Sequence, residues 1–162
     1  MKIGGHSLRE HIRLLGPLFG LIGAVWILRM IVAAADSPPE IVRIVSVTTA
    51  TAFSIILAVL IFQSRNFGGY VNVFVASLML NLWAQLLIIG AILFAMLTHI
   101  ENIYTVNRYF PANSEPASWH HIYIHLTFGI GMSTLVGAGI GFLMLWLLRA
   151  IVQKKEKGLF KP

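Results

Sequence analysis

His121 and His125 stand four residues apart near the start of an apolar stretch. On a helix that spacing puts both imidazoles on one face, about 5–6 Å apart. Two neutral imidazoles so arranged can chelate a metal ion, and His99, at the end of the preceding apolar stretch, is the expected third ligand. The same three histidines on facing helices suit a haem iron. The cofactor such a site would hold is haem or a divalent metal; the competing use of these histidines is interfacial or structural, beside Trp119 and Tyr123. The pattern HHxxxH is not the HExxH of zinc proteases, because no glutamate lies between the ligands. Six histidines in all are too few for the histidine boxes of membrane desaturases and hydroxylases.

Further polar groups gather at the same end of the chain's apolar stretches. Arg29 and Arg43 flank a turn that also carries Asp36 and Glu40. They are the candidates for an anion or a lipid headgroup, with pairing of Arg29 to Asp36, Glu40 or Glu101 as the competing use. Glu101 and Glu115 are the carboxylates available for acid–base work beside the histidines. A different set lies deep in an apolar stretch. Ser77, Asn81 and Gln85 recur every four residues, so they form an intramembrane polar stripe on one helix face. The 3.6-residue period extends that face to His99 and nearly to Asn102, with Ser46 and Ser54 as expected partners. The stripe must turn inward, since unpaired amides in hydrocarbon are costly. It holds no acid or base at mid-depth, which argues against a proton pump.

The elements that carry these residues are long and apolar. Of 162 residues, only 12 Lys and Arg and six Asp and Glu are charged, and the mean hydropathy is +0.81. Four stretches, about 14–35, 41–62, 71–98 and 122–152, each meet the ~18–20 residues needed to cross ~30 Å of hydrocarbon as a helix. The fold class expected is all-α: a four-helix transmembrane bundle of up-down topology, with short connections and one longer loop at 102–118. The whole chain, 1–162, reads as a single integral membrane domain. The basic residues before the first stretch resemble a signal peptide, but the apolar run is too long and contains Arg29, so it reads as a retained span.

Local signals set the boundaries. Ser7-Leu8-Arg9-Glu10 fits a capping box, and Ser37-Pro38-Pro39-Glu40 reads as a second, with Ser37 as N-cap. Asn66-Phe67-Gly68-Gly69 breaks the second helix, and Ser118 is the expected N-cap of the fourth. Small residues mark packing ridges: Gly129, Ser133, Gly137 and Gly141 on the fourth span, and Gly16, Gly20 and Ala24 on the first. Such ridges serve contact within one chain or between chains.

Orientation and compartment follow from charge. Of the 12 lysines and arginines, all but Arg29, Arg43 and Arg108 fall at the end bearing the termini. That bias puts both termini in the cytoplasm, with a bacterial inner membrane the expected location. The basic residues cluster at span ends, so they point to headgroups and not to nucleic acid. With no cysteine, disulfides, thiolate metal sites and iron–sulfur ligation are excluded. Three functional classes remain. The leading one is a non-enzymatic subunit or binding partner in a membrane assembly, with a polar binding region on the outer side. Its partners would be membrane lipids, other membrane subunits or a second copy of the chain. The others are a haem- or metal-binding redox protein using His99, His121 and His125, and a lipid-modifying enzyme at the outer leaflet using the same histidines with Glu101.

Overall fold

The first residues form a two-stranded hairpin, β1 (Lys2–Ile3) paired antiparallel with β2 (His6–Ser7). Its turn is Gly4-Gly5, both at positive φ (58° and 91°), as a two-residue type I′ turn requires. This hairpin lies outside the elements expected from the sequence. Ser7 then caps α1 (Leu8–Ala34) through the expected capping box: its hydroxyl accepts from the Glu10 N–H, and the Glu10 carboxylate accepts from the Ser7 N–H at 2.6 Å. The computed structural model describes residues 2–106 and 116–159, so Arg108, Glu115 and Lys161 lie outside the described residues.

The connection after α1 departs from expectation. Asp36 adopts φ 54°, and the N–H groups of Asp36 and Ser37 return to the carbonyls of Ala33 and Val32. This is a Schellman closure. Ser37 is thereby committed to ending α1 and does not cap the next helix. Short α2 (Pro39–Ile44) starts one residue later, with Pro38 at the cap and no side-chain cap bond. The second span is then broken at 45–46. Ser46 caps α3 (Val47–Arg65), its hydroxyl accepting from Thr49 N–H at 3.3 Å. A second Schellman closure at Asn66 (φ 51°) ends α3, where the N–H groups of Asn66 and Phe67 reach the carbonyls of Gln63 and Phe62.

Helix α4 (Tyr70–Thr98) is the third span. The fourth runs through α5 (Trp119–Ile124), capped by Ser118 as expected, a π-helical turn (His125–Gly129) and α6 (Ile130–Leu159). Four helical spans are each long and apolar enough to cross a membrane, and together they make an all-α four-helix bundle. Two apolar clusters fill it. One, around Leu15, Ile55, Val59, Phe62, Val73, Leu80 and Leu145, lies toward the termini. The other, around Val42, Ile88, Ile92, Ile103, Tyr104 and Ile122, lies under the loop that follows α4. The span of α4 is the most enclosed of the four and that of α1 the least.

Candidate functional site

The π-helical turn and α4 together position a file of polar side chains at the loop end. His125 Nδ1 lies 2.6 Å from Gln85 Oε1, and His125 Nε2 lies 3.1 Å from His121 Nε2. His121 Nδ1 closes the file 2.6 Å from the Pro116 carbonyl. The glycine at 129 is what admits Gln85. A Cβ at Gly129 would stand 3.0 Å from Gln85 Oε1, so the bare backbone lets the amide sit where it does without yielding a few tenths of an ångström. His121 must donate from Nδ1, because a carbonyl can only accept, and its Nε2 can then accept from His125 Nε2–H; the bare Nδ1 of a neutral His125 then calls for the Gln85 amide to present its NH2 group in place of Oε1. The file is a row of polar groups in contact, running from the loop into the bundle.

His99 does not join it. The helical period that aligned His99 with Asn81 holds only while the helix continues, and α4 ends at Thr98. His99 itself turns left-handed (φ 59°) and is exposed. It lines a pocket of about 320 Å³ with Ala95, Met96, Glu101, Thr105 and Ala117, apart from His121 and His125. Asn102 likewise leaves the helical face, its amide returning to the Ala91 carbonyl at 2.7 Å. Among the described residues no group of three or more His, Asp or Glu side chains is arranged to hold a metal ion. The structure therefore does not assemble the His99–His121–His125 ligand set expected from the sequence.

The intramembrane stripe is buried and its bonds run to the fourth span. Ser77 Oγ donates to the Thr134 carbonyl at 3.0 Å, and Asn81 Nδ2 donates to the Ser133 carbonyl at 3.1 Å and the Ser77 carbonyl at 2.9 Å. Ser46 and Ser54, the partners expected, take no part. Ser46 is a cap, and the buried Ser54 hydroxyl has no partner among the described residues. The ridge of α6 makes these bonds possible. A Cβ at Gly137 would come within 2.5 Å of Ile55 Cδ1 and 2.6 Å of Ser77 Oγ, and one at Gly141 within 2.6 Å of Val73. Ser133 bonds its own helix at the Gly129 carbonyl. Gly16 and Gly20 differ. Helix α1 faces the bundle with His11, Leu15, Leu18 and Ile22, so its glycine face looks outward, and nothing lies within 4 Å of a Cβ at Gly16, Gly20 or Gly23.

Arg29 has an intramolecular task that the sequence did not reveal. Breaking the second span leaves the Val45 carbonyl without its helical donor, because the Thr49 N–H is turned to Ser46. Arg29 Nη1 supplies the missing donor at 3.0 Å. The guanidinium also lies over the Tyr104 ring, 5.6 Å from its centroid. Around it, Trp26 Nε1, Arg29 Nε and the Tyr104 hydroxyl are buried donors with no acceptor among the described residues. Burial pushes the Tyr104 phenol up to about 12, against the opposing pull of the Arg29 charge. Arg43, in the last turn of α2, is exposed.

A second polar centre, at the opposite end, escaped the sequence reading. His11 is fully buried, with Nδ1 2.9 Å from the Ser7 carbonyl and Nε2 2.9 Å from Asn72 Oδ1. The Asn72 amide donates onward to the Gly4 carbonyl at 3.1 Å, which ties the hairpin to α4. Asn72 lies nine residues before Asn81, about half a turn away at ~100° per residue, so the stripe gave no pointer to it. No family model matches this chain, and neither does a curated protein or a solved structure.

Proposed function

We propose that the protein is a non-enzymatic subunit or binding partner in a larger membrane assembly, with both termini in the cytoplasm of a bacterial inner membrane. The observation that carries this reading is the bare face of α1. Gly16, Gly20 and Gly23 share one side of that helix and have open space above them. Glycine is a poor helix former, and a side without Cβ atoms gains little from lipid. Its recognised use in membranes is to let a second helix approach closely. The internal polar groups favour the same class. Ser77 and Asn81 are spent on the backbone of the fourth span, as structural bonds between helices are.

The polar binding region belongs to the loop end, which the charge bias makes the outer side. The donors of Trp26, Arg29 and Tyr104, which have no acceptor among the described residues, favour an acceptor-rich or anionic group there.

The test uses Gly20→Leu. Because that site is open, the substitution leaves the chain's own fold intact. Native electrophoresis after mild detergent extraction should show wild type in a complex heavier than its 17.9 kDa monomer, and the variant as the monomer. Identical migration of the two would overturn the reading.

A further inference from the structure

The bundle has a charged cleft at the end bearing the termini, remote from the outer polar groups. It lies between α1 and α3 and has a volume of about 690 Å³. Arg13 of α1 and Arg65 of α3 line it, with Leu14, Pro17 and Ile61 on its apolar wall.

We propose that this cleft binds one anionic phospholipid, its phosphate between Arg13 and Arg65 and an acyl chain along Leu14, Pro17 and Ile61. Three observations converge on that occupant. The first is depth. Arg13 immediately precedes the apolar run of the first span, and Arg65 is the last residue of α3, so both guanidinium groups stand at the hydrocarbon–water boundary. That is the level of lipid phosphates. The second is charge. Both arginines are exposed, and neither has a hydrogen bond or ion pair among the described residues. Two guanidinium forks suit the oxygens of one phosphate. Glu10 also lines the cleft, but its carboxylate is held back by the Ser7 N–H and hydroxyl at 2.6 and 2.7 Å. The third is the wall. Leu14, Pro17 and Ile61 continue from the arginines toward the apolar interior of the spans, where a chain attached to the phosphate must go.

The contrast with a neighbouring cleft sharpens the choice. Ile12, Phe19, Met79, Leu82, Trp83 and Leu86 line about 360 Å³ with no charged side chain. That groove can take acyl chains but cannot select a headgroup. The 690 Å³ cleft has the means to do both.

The experiment is native mass spectrometry of the full chain in detergent, titrated with dioleoyl phosphatidylglycerol or dioleoyl phosphatidylcholine. Wild type should retain one phosphatidylglycerol in preference to phosphatidylcholine. Arg13→Gln or Arg65→Gln should weaken it about fivefold each, and both together about thirtyfold, as expected for ~1 kcal/mol per basic residue near headgroups. Arg9→Gln, an equal charge change at an exposed site that does not line the cleft, should leave retention unchanged. Inorganic phosphate at the lipid's concentration should not displace the lipid, because it lacks the chain. Equal retention of the two lipids by wild type would overturn the proposal, and that comparison needs no variant. So would phosphatidylglycerol binding that survives the double substitution, falls equally with Arg9→Gln, or is displaced by phosphate. None of these outcomes bears on the glycine face of α1, so this site and the assembly reading stand or fall separately.

Discussion

Gly137→Ala should destabilise the bundle by about 2–4 kcal/mol, although it adds a single methyl group to a helix. The new Cβ would stand 2.5 Å from Ile55 Cδ1 and 2.6 Å from Ser77 Oγ. Comfortable contact begins near 3.5 Å, so α6 must retreat by roughly 1 Å. Ile55 Cδ1 is the tip of a flexible chain and can yield a little. Ser77 Oγ cannot, because it is held by its bond to the Thr134 carbonyl. Overpacking of this kind costs about 1–3 kcal/mol. The same retreat stretches the bonds from Ser77 and Asn81 to α6, now 3.0 and 3.1 Å, each worth ~0.6 kcal/mol between membrane helices. Gly139→Ala is the matched control two residues on. Nothing lies within 4 Å of its Cβ, so its stability should be unchanged or slightly raised. Unfolding in mixed micelles by a graded fraction of denaturing detergent reads both. Equal stabilities for Gly137→Ala and Gly139→Ala would refute the close approach of α6 to α3 and α4.

Asn72→Ala should cost about 1–3 kcal/mol, since it strands a ring nitrogen of fully buried His11, and should release the 2–7 hairpin to amide exchange. Tyr104 should ionise near pH 12 in an ultraviolet titration of the folded protein. Its raised folded value means that the stability it contributes is complete below about pH 10 and is lost as pH rises from there through 12. A signal near pH 10 that is lost in Tyr104→Phe would contradict its burial. With Lys2→Cys and Glu101→Cys, both exposed positions in a chain without native cysteine, a membrane-impermeant thiol reagent in intact cells should label only position 101. The reverse pattern would invert the proposed orientation.

The four spans were legible because each depends on an unbroken apolar run, which is a local property. So were the Ser7–Glu10 capping box, the break at Asn66 and the Ser118 cap, where one or two residues act on their own backbone. The site was less legible because it depends on where helices stop and which way they face. The helical period alone puts His99 and Asn102 on the stripe's face, but the helix ends at Thr98. Ser37 carries the right residue type for a cap, but closing α1 consumes its backbone, and Ser46 caps α3 instead. The bare Gly16 and Gly20 face and the packed Gly137 and Gly141 ridge look alike in sequence. Only the position of α1 at the edge of the bundle separates them. The π-helical turn at 125–129 and the bond from Arg29 to Val45 leave no local signature at all.

Cross-linking from α1 in native membranes tests the central claim most directly. Gly20→Cys carrying a short thiol-attached photo-cross-linker should, on illumination, give a covalent adduct between this chain and a second polypeptide. Leu143→Cys, on an exposed face of α6, should give none under the same conditions. Adducts from both positions alike, or from neither, would contradict a helix seated on the glycine face of α1.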